Sequence, residues 1–157
     1  MQAKKIRFFP KKEIEKLEER IRKNYGADIS LKGLLVFRTS EDKIWIASKN
    51  VAKIDFSKLR INAIGLYIGK IKKGGKFRPS IEFAQVIGRN AKKNVVMVDE
   101  EDMEKFIRGS DIEFKKGIRC EERNFVLVKY REYVIGVGRL FDGRVENLVP
   151  KSRKIVK

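Results

Sequence analysis

Residues 95–109 read VVMVDEEDMEKFIRG, and the rest of the fold can be organised around them. Val95–Val98 is an apolar, β-branched run of strand length. Asp99 then stands where a helix N-cap belongs, because its carboxylate can accept a backbone N–H of the first turn. Glu100, Glu101 and Asp102 occupy that turn, where the helix dipole favours anions. Met103, Phe106 and Ile107 form the apolar face, and Gly109 ends the helix. The acidic run is therefore explained as a helix start. Hard-cation loops alternate carboxylates around a glycine turn, and this run does not.

Downstream, short strands dominate: Ile112–Phe114, Phe125–Tyr130, Tyr133–Leu140 and Val145–Val149, the last two joined at Asp142-Gly143. Strands this short and closely spaced imply a small, mostly antiparallel barrel. Upstream, Asn90–Asn94 is a short polar, basic stretch and is taken as the boundary between an N-terminal α/β domain, residues 1–92, and a C-terminal domain, residues 93–157. The overall class is α+β.

The first half opens with a helix after Pro10. Ile14, Leu17 and Ile21 share one face. Glu18–Arg22 and Glu19–Lys23 have the favourable i,i+4 orientation, and Gly26 is a C-terminal stop. This helix reads as scaffold packed on a sheet. Leu34–Thr39 and Lys43–Ser48 flank Ser40-Glu41-Asp42 as a hairpin, with Ile44 and Ile46 facing the core. Residues 61–71 form a strand pair or one long strand bent at Gly65 and Gly69. Gly74–Gly75 suits a tight turn, since both residues tolerate positive φ. Ser80 is the N-cap of a following helix.

The 157 residues carry 38 Lys and Arg against 21 Asp and Glu, a net charge of +17. With 42% apolar residues and ten Phe, the chain folds rather than forming a disordered basic tail. The charge is uneven. Residues 58–93 carry ten basic groups and one acid, Glu82, while 94–128 carry six basic and nine acidic groups. Residues 129–157 return to eight basic against three acidic. Two basic blocks around an acidic one are the pattern of a directed electrostatic footprint for a polyanion. The densest clusters are KIKKGGKFR, residues 70–78, and the C-terminal PKSRKIVK.

Several chemistries are excluded. With no His there is no His-liganded zinc, no Ser–His or Cys–His nucleophile and no imidazole shuttle. The single Cys120 excludes an intrachain disulfide and suits a reducing compartment. Cys120 lies between acidic residues in IRCEERN, which would raise its pKa. Asp28, Asp42 and Asp55 are the remaining candidate acids, each in a turn-like context. No GxGxxG loop or P-loop is present. The longest apolar runs, such as Leu34–Phe37, fall far below the roughly 20 residues that span a bilayer. A basic N-terminus without an apolar stretch is not a signal peptide. A soluble, cytoplasmic, monomeric protein with no cofactor and no metal is expected, and no enzymatic activity.

The order VVMV, an acid-capped helix ending in FIRG, DIEFKKGI and FVLVKYREYVIGVGR resembles the PUA domain. Arg108-Gly109 and Gly136-x-Gly138 are its most diagnostic pieces. GVGRLFDGRVENLVPKSRK is also similar to the PUA-like C-terminal end of Sun-type RNA cytosine methyltransferases. VFRTSEDKIWIASKNVAKI followed by GLYIGKIKKGGKFRPSIEFAQ resembles the N-terminal domain of small ribosome-biogenesis factors that pair a short α/β domain with a C-terminal PUA. The resemblance implies an RNA-binding adapter in rRNA processing, with ribosomal RNA or its precursors and ribosome-assembly or RNA-modification proteins as partners. The alternative is a non-catalytic RNA-targeting subunit for an RNA methyltransferase or another modification enzyme. By position it assigns RNA contact to Arg108 and Gly109 at the helix exit, and to Lys151, Arg153, Lys154 and Lys157 on or after the last strand. Arg139 and Arg144, and Lys70, Lys72, Lys73, Lys76 and Arg78 of the first half, complete the candidate RNA-binding set. The Lys/Glu/Ile richness is similar to a thermophile's composition, consistent with an archaeal-like source.

Overall fold

The computed structural model describes residues 6–49 and 65–150. Strand β1 (Arg7–Phe8) leads into α1 (Lys11–Tyr25). Leu17 and Ile21 are buried, and Ile14 packs against the same core. Gly26 ends the helix in the left-handed region, and its N–H reaches the carbonyl of Arg22. The expected i,i+4 ion pairs are replaced: Arg22 pairs with Glu19 and Asp28, while Glu18 accepts the N–H of Leu31. Glu18 is drawn away because an orphan backbone donor in the following loop costs more than a surface ion pair returns.

Strands β2 (Leu34–Arg38), β3 (Lys43–Ser48), β4 (Leu66–Lys72) and β5 (Lys76–Pro79) complete an antiparallel sheet in the order β1-β2-β3-β4-β5. The β2–β3 hairpin closes through a 3-10 turn at Ser40–Asp42. The β4–β5 turn, Lys73–Gly75, places both Gly74 and Gly75 at positive φ, as the glycine pair predicts. Of the strand proposed over 61–71, residues 66–71 lie in one strand, β4, whose register slips opposite Ile44 and Trp45; residues 61–64 lie outside the described residues.

Ile44 and Ile46 face the main core as expected. The opposite face of this sheet is apolar too. Phe8, Phe37, Trp45 and Tyr67 stand in register across β1 to β4, with ring centroids 5.8, 6.4 and 5.5 Å apart. Phe37 is fully buried, and the Trp45 indole N–H donates to the Thr39 hydroxyl.

Helix α2 (Ile81–Gly88) starts at Ser80, whose hydroxyl accepts the N–H of Phe83. β6 (Val95–Val98) and α3 (Glu100–Ile107) follow. Asp99 caps α3 by accepting the N–H of Asp102, and buried Asp102 pairs with Lys115 at 3.1 Å. Then come β7 (Ile112–Glu113), β8 (Gly117–Ile118), β9 (Phe125–Tyr130), β10 (Tyr133–Phe141) and β11 (Arg144–Asn147). These form a curled six-stranded sheet, β7-β11-β10-β9-β6-β8, antiparallel except for β6 beside β9. Phe106 lies over this sheet. A Cβ on Gly136 would meet its ring at 2.8 Å, and one on Gly138 would meet Val145 at 2.5 Å and the Glu146 carbonyl at 2.8 Å, so neither position of Gly136-x-Gly138 has room for a side chain.

One hydrophobic core crosses from the first sheet to the second, joining Leu17, Ile21, Phe77, Phe83 and Ile87 to Phe125, Leu127, Val134 and Val137. Buried amides reinforce the junction. The side-chain N–H of Asn94 donates to the Asn24 carbonyl at 2.6 Å, and that of Asn124 to the Asn24 side-chain oxygen at 3.3 Å. The buried Tyr25 hydroxyl donates to the Phe77 carbonyl, and burial pushes its pKa far up, so it stays a donor.

Candidate nucleic-acid interface

The sheet register decides which basic residues meet. Lys70 stands directly opposite Lys43 on β3 and Arg78 on β5. Ile44, Ile71 and Phe77 point into the core. Their sequence neighbours Lys43, Lys70 and Arg78 therefore share the other face, because side chains alternate along a strand. Like charges directly opposite one another destabilise a sheet. The three cations and Tyr67 line a cleft of about 390 Å³, with Glu82 as the carboxylate among the lining residues. Burial pushes the Tyr67 hydroxyl pKa up, and the nearby Arg78 charge opposes that. The Lys43 ammonium lies 6.0 Å from the Tyr67 ring centre.

The far wall of the cleft belongs to the second sheet: Val137, Leu148 and Pro150. Pro150 is the last residue before the basic segment 151–157. Three residues earlier, Asn147 is fastened to the exit of α3, its side-chain N–H groups donating to the carbonyls of Phe106 and Ser110 at 2.7 and 3.0 Å. Three residues span at most about 11 Å. The Arg108-Gly109 exit and the Lys70/Arg78 cleft therefore flank the same short piece of chain, although 30 residues separate Arg78 from Arg108. Arg108 is an exposed helix cap, and Gly109 takes a φ of 101° that closes the helix.

The other candidate residues are dispersed. Lys72 and Lys73 are exposed at the tip of the β4–β5 hairpin. The Lys76 ammonium donates to the Arg123 carbonyl at 2.7 Å and so ties the hairpin to the second sheet. Arg139 is engaged with Glu146 at 3.3 Å and lies 5.1 Å from the Phe141 ring centre. Arg144 is exposed on β11 opposite Glu113. Lys151, Arg153, Lys154 and Lys157 lie outside the described residues.

Lys43 is the residue that sequence reasoning missed. It sits in a segment with nearly balanced charge, and only the β3–β4 register shows it beside Lys70. Of the aromatics able to stack on bases, Phe77 is removed by complete burial, Trp45, Tyr67 and Tyr130 are half-buried, and Tyr133 is 65% exposed.

Two of the three candidate acids are held in ion pairs. Asp28 is held by Arg22, Asp42 by Arg38 at 2.6 Å, and Asp55 lies outside the described residues. The Cys120 thiol is pushed up chiefly by burial, not by its acidic neighbours in sequence. Among the described residues no group of three or more His, Cys, Asp or Glu is placed to hold a metal, and no helix is long and apolar enough to cross a membrane. Another cleft, of about 610 Å³ between Phe8, Ile14 and Leu34, contains none of the candidate residues.

Comparison with known proteins agrees with this architecture. Residues 6–81 match the family described as NIP7/UPF0113, pre-PUA domain, and residues 93–155 match the family described as Methyltransferase RsmF PUA domain. Among curated proteins, the chain is similar to ribosomal RNA small subunit methyltransferase F of Aeromonas salmonicida, 28% identical over 143 residues, covering 91% of this chain and 28% of that protein. The same enzyme of Vibrio parahaemolyticus is 25% identical over 151 residues, 90% of this chain and 29% of that protein. The chain thus spans little more than a quarter of the length of these relatives. Among solved structures, a conserved PUA domain protein from Thermoplasma acidophilum superimposes with a TM-score of 0.61 at 19% identity, covering 95% of this chain and 97% of that one. A PUA domain protein from Aeropyrum pernix gives 0.55 at 16% identity, covering 96% and 90%. The chain is therefore a two-domain protein, a pre-PUA domain joined to a PUA domain that resembles that of the methyltransferase RsmF.

Proposed function

We propose that this protein binds RNA without catalysing a reaction on it, and that it acts as the RNA-targeting partner of a ribosomal RNA methyltransferase. The observation that carries the reading is the extent of the similarity. About nine-tenths of this chain corresponds to little more than a quarter of ribosomal RNA small subunit methyltransferase F. The part held in common includes the PUA domain, within a chain whose net charge is +17. That likeness supports a ribosomal RNA methyltransferase as the enzyme it serves.

Recognition rests on the Lys43/Lys70/Arg78 cleft, the α3 exit at Arg108 and Gly109, and the basic segment 151–157. Lys and Arg contact phosphates and set position, while Tyr67 and the exposed Tyr133 offer faces on which unpaired bases stack. If about six phosphates are neutralised, affinity should fall about 10³-fold between about 50 and 200 mM salt. A flat response across that range refutes the electrostatic account.

The partner is tested by affinity purification of the tagged protein. Co-purification of a methyltransferase catalytic subunit, and stimulation of methyl transfer from S-adenosylmethionine to ribosomal RNA when the two are combined, are the expected results. Recovery of ribosomal precursors without such an enzyme would instead favour a ribosome-biogenesis adapter. That second reading is favoured by the NIP7-type match over residues 6–81.

A further inference from the structure

A second cleft, of about 540 Å³, shares no lining residue with the first. It opens where α1, the β4–β5 turn and the PUA domain meet. Lys16, Arg20 and Lys23 line it from α1, Lys76 from β5, and Lys93 with Glu121 from the PUA domain. Its carboxylates are already engaged: Glu19 pairs with Arg22, and Glu121 with Lys93. Lys76 is held by the Arg123 carbonyl. Lys16, Arg20 and Lys23 have no acidic partner among the described residues.

These three sit at i, i+4 and i+7, one stripe of the helix, spread over about 10 Å of its length. Like charges at that spacing destabilise a helix. Intrahelical Glu19 lies four residues before Lys23, yet it turns to Arg22 instead. The opposite wall is the glycine turn. A Cβ on Gly75 would run into the Arg20 guanidinium, so the bare backbone at Gly75 is what lets Arg20 lie against the turn. Buried Asn24 and Asn124 border the cleft and belong to the amide network that joins the two domains. The shape is thus set before any ligand arrives, which limits the ordering cost of binding.

We propose that this cleft is a second phosphate site, seating the backbone of single-stranded RNA against α1, so that the pre-PUA domain grips the strand as well as the PUA domain. The inference rests on the RNA-binding reading above and extends it to a helix that by sequence looks like scaffold.

The test uses the full chain and a labelled single-stranded oligouridylate, with affinity measured across a salt series. For contacts worth about −0.7 each in the slope of log affinity against log salt, removing three lowers the slope by about 2. The same term weakens binding about 100-fold at about 0.1 M salt. Lys16→Ala/Arg20→Ala/Lys23→Ala should show both changes with a melting temperature no lower than that of the unsubstituted chain, since the like-charge repulsion along α1 is relieved. Lys12→Ala/Lys32→Ala/Lys49→Ala, which removes as much charge outside both clefts, should weaken binding far less. Equal losses in the two triple variants overturn the site in favour of bulk charge. Undiminished RNA binding in the α1 variant overturns it while leaving the RNA reading intact, whereas a wild-type chain that binds no RNA ends both. Crosslinking with 4-thiouridine RNA gives an independent readout: adducts on α1 are expected, and their absence overturns the proposal. If polyglutamate binding is lost in the α1 variant while RNA affinity is kept, the occupant is an acidic protein segment instead.

Discussion

Lys70→Met separates a binding role for the cationic row from a purely structural one, because the two roles predict opposite outcomes. Lys70 lies between Lys43 and Arg78 on adjacent strands, each directly opposite. Met keeps most of the aliphatic stem that a half-buried lysine packs against its surroundings and removes only the charge. A directly opposed pair contributes about 0.2–1 kcal/mol, unfavourably for like charges. Relief of two such pairs, partly offset by the loss of attraction to Glu82, is worth about 1 kcal/mol. A domain protein of this size responds with about 2–4 °C per kcal/mol. The melting temperature of the free protein should therefore rise by about 2–4 °C in low salt, and the gain should shrink as salt screens the charges. RNA binding should move the other way. One lost phosphate contact lowers the salt slope by about 0.7 and the affinity about fivefold at about 0.1 M salt. Calorimetric melting and fluorescence anisotropy on the same preparation measure both. A variant that melts lower, with RNA affinity and salt slope unchanged, would show that Lys70 serves the sheet and refute the reasoning.

Other expectations are more local. Gly138→Ala places a Cβ 2.8 Å from the Glu146 carbonyl oxygen, a backbone atom that cannot swing aside, so a loss of about 1–3 kcal/mol is expected in denaturant titration. Gly143→Ala meets no atom within 4 Å and bears only the strain of its φ of 75°, about 1 kcal/mol, so a larger loss at Gly143 than at Gly138 would contradict the packing argument. Asn94→Ala removes the partners of the Asn24 carbonyl and the Glu121 N–H at a fully buried position with φ of 56°, and should cost about 2–4 kcal/mol. Because the two domains share a core, that variant should still unfold in one transition; two separated transitions would show that the junction is weaker than its contacts imply. Burial raises the Cys120 thiol pKa and so lowers its thiolate fraction at neutral pH, so iodoacetamide should react more slowly than with a free cysteine and accelerate as pH rises. Alkylation at the rate of a free cysteine at pH 7 would contradict this.

Much of the architecture is legible in the sequence because it depends on local chemistry. Asp99 and Ser80 cap their helices through bonds that span three residues, Gly26 and Gly109 stop helices by adopting positive φ, and the Gly74–Gly75 pair makes its own turn. The two-residue strands β1 and β8 are not legible in the sequence. Two residues carry no periodicity, and such strands exist only because a neighbour offers a ladder to join. The two faces of the first sheet were half legible. Ile44 and Ile46 identify the core side, whereas the ladder of Phe8, Phe37, Trp45 and Tyr67 needs the register of four strands.

The same division holds for the candidate site. Composition and segment charge alone determined that the protein carries a large, unevenly distributed positive charge of the kind that attracts polyanions, that it has no histidine, and that residues 70–78 are the densest cationic cluster of the first half. Those properties belong to residue types and survive any arrangement of the chain. Tertiary structure alone decided that Lys43 joins Lys70 and Arg78, that Pro150 lines the same cleft as those three cations, and that Lys16, Arg20 and Lys23 face the glycine turn. Each is a juxtaposition of residues far apart in sequence, set by strand register and by a core that spans both domains, and no local pattern of residues encodes it.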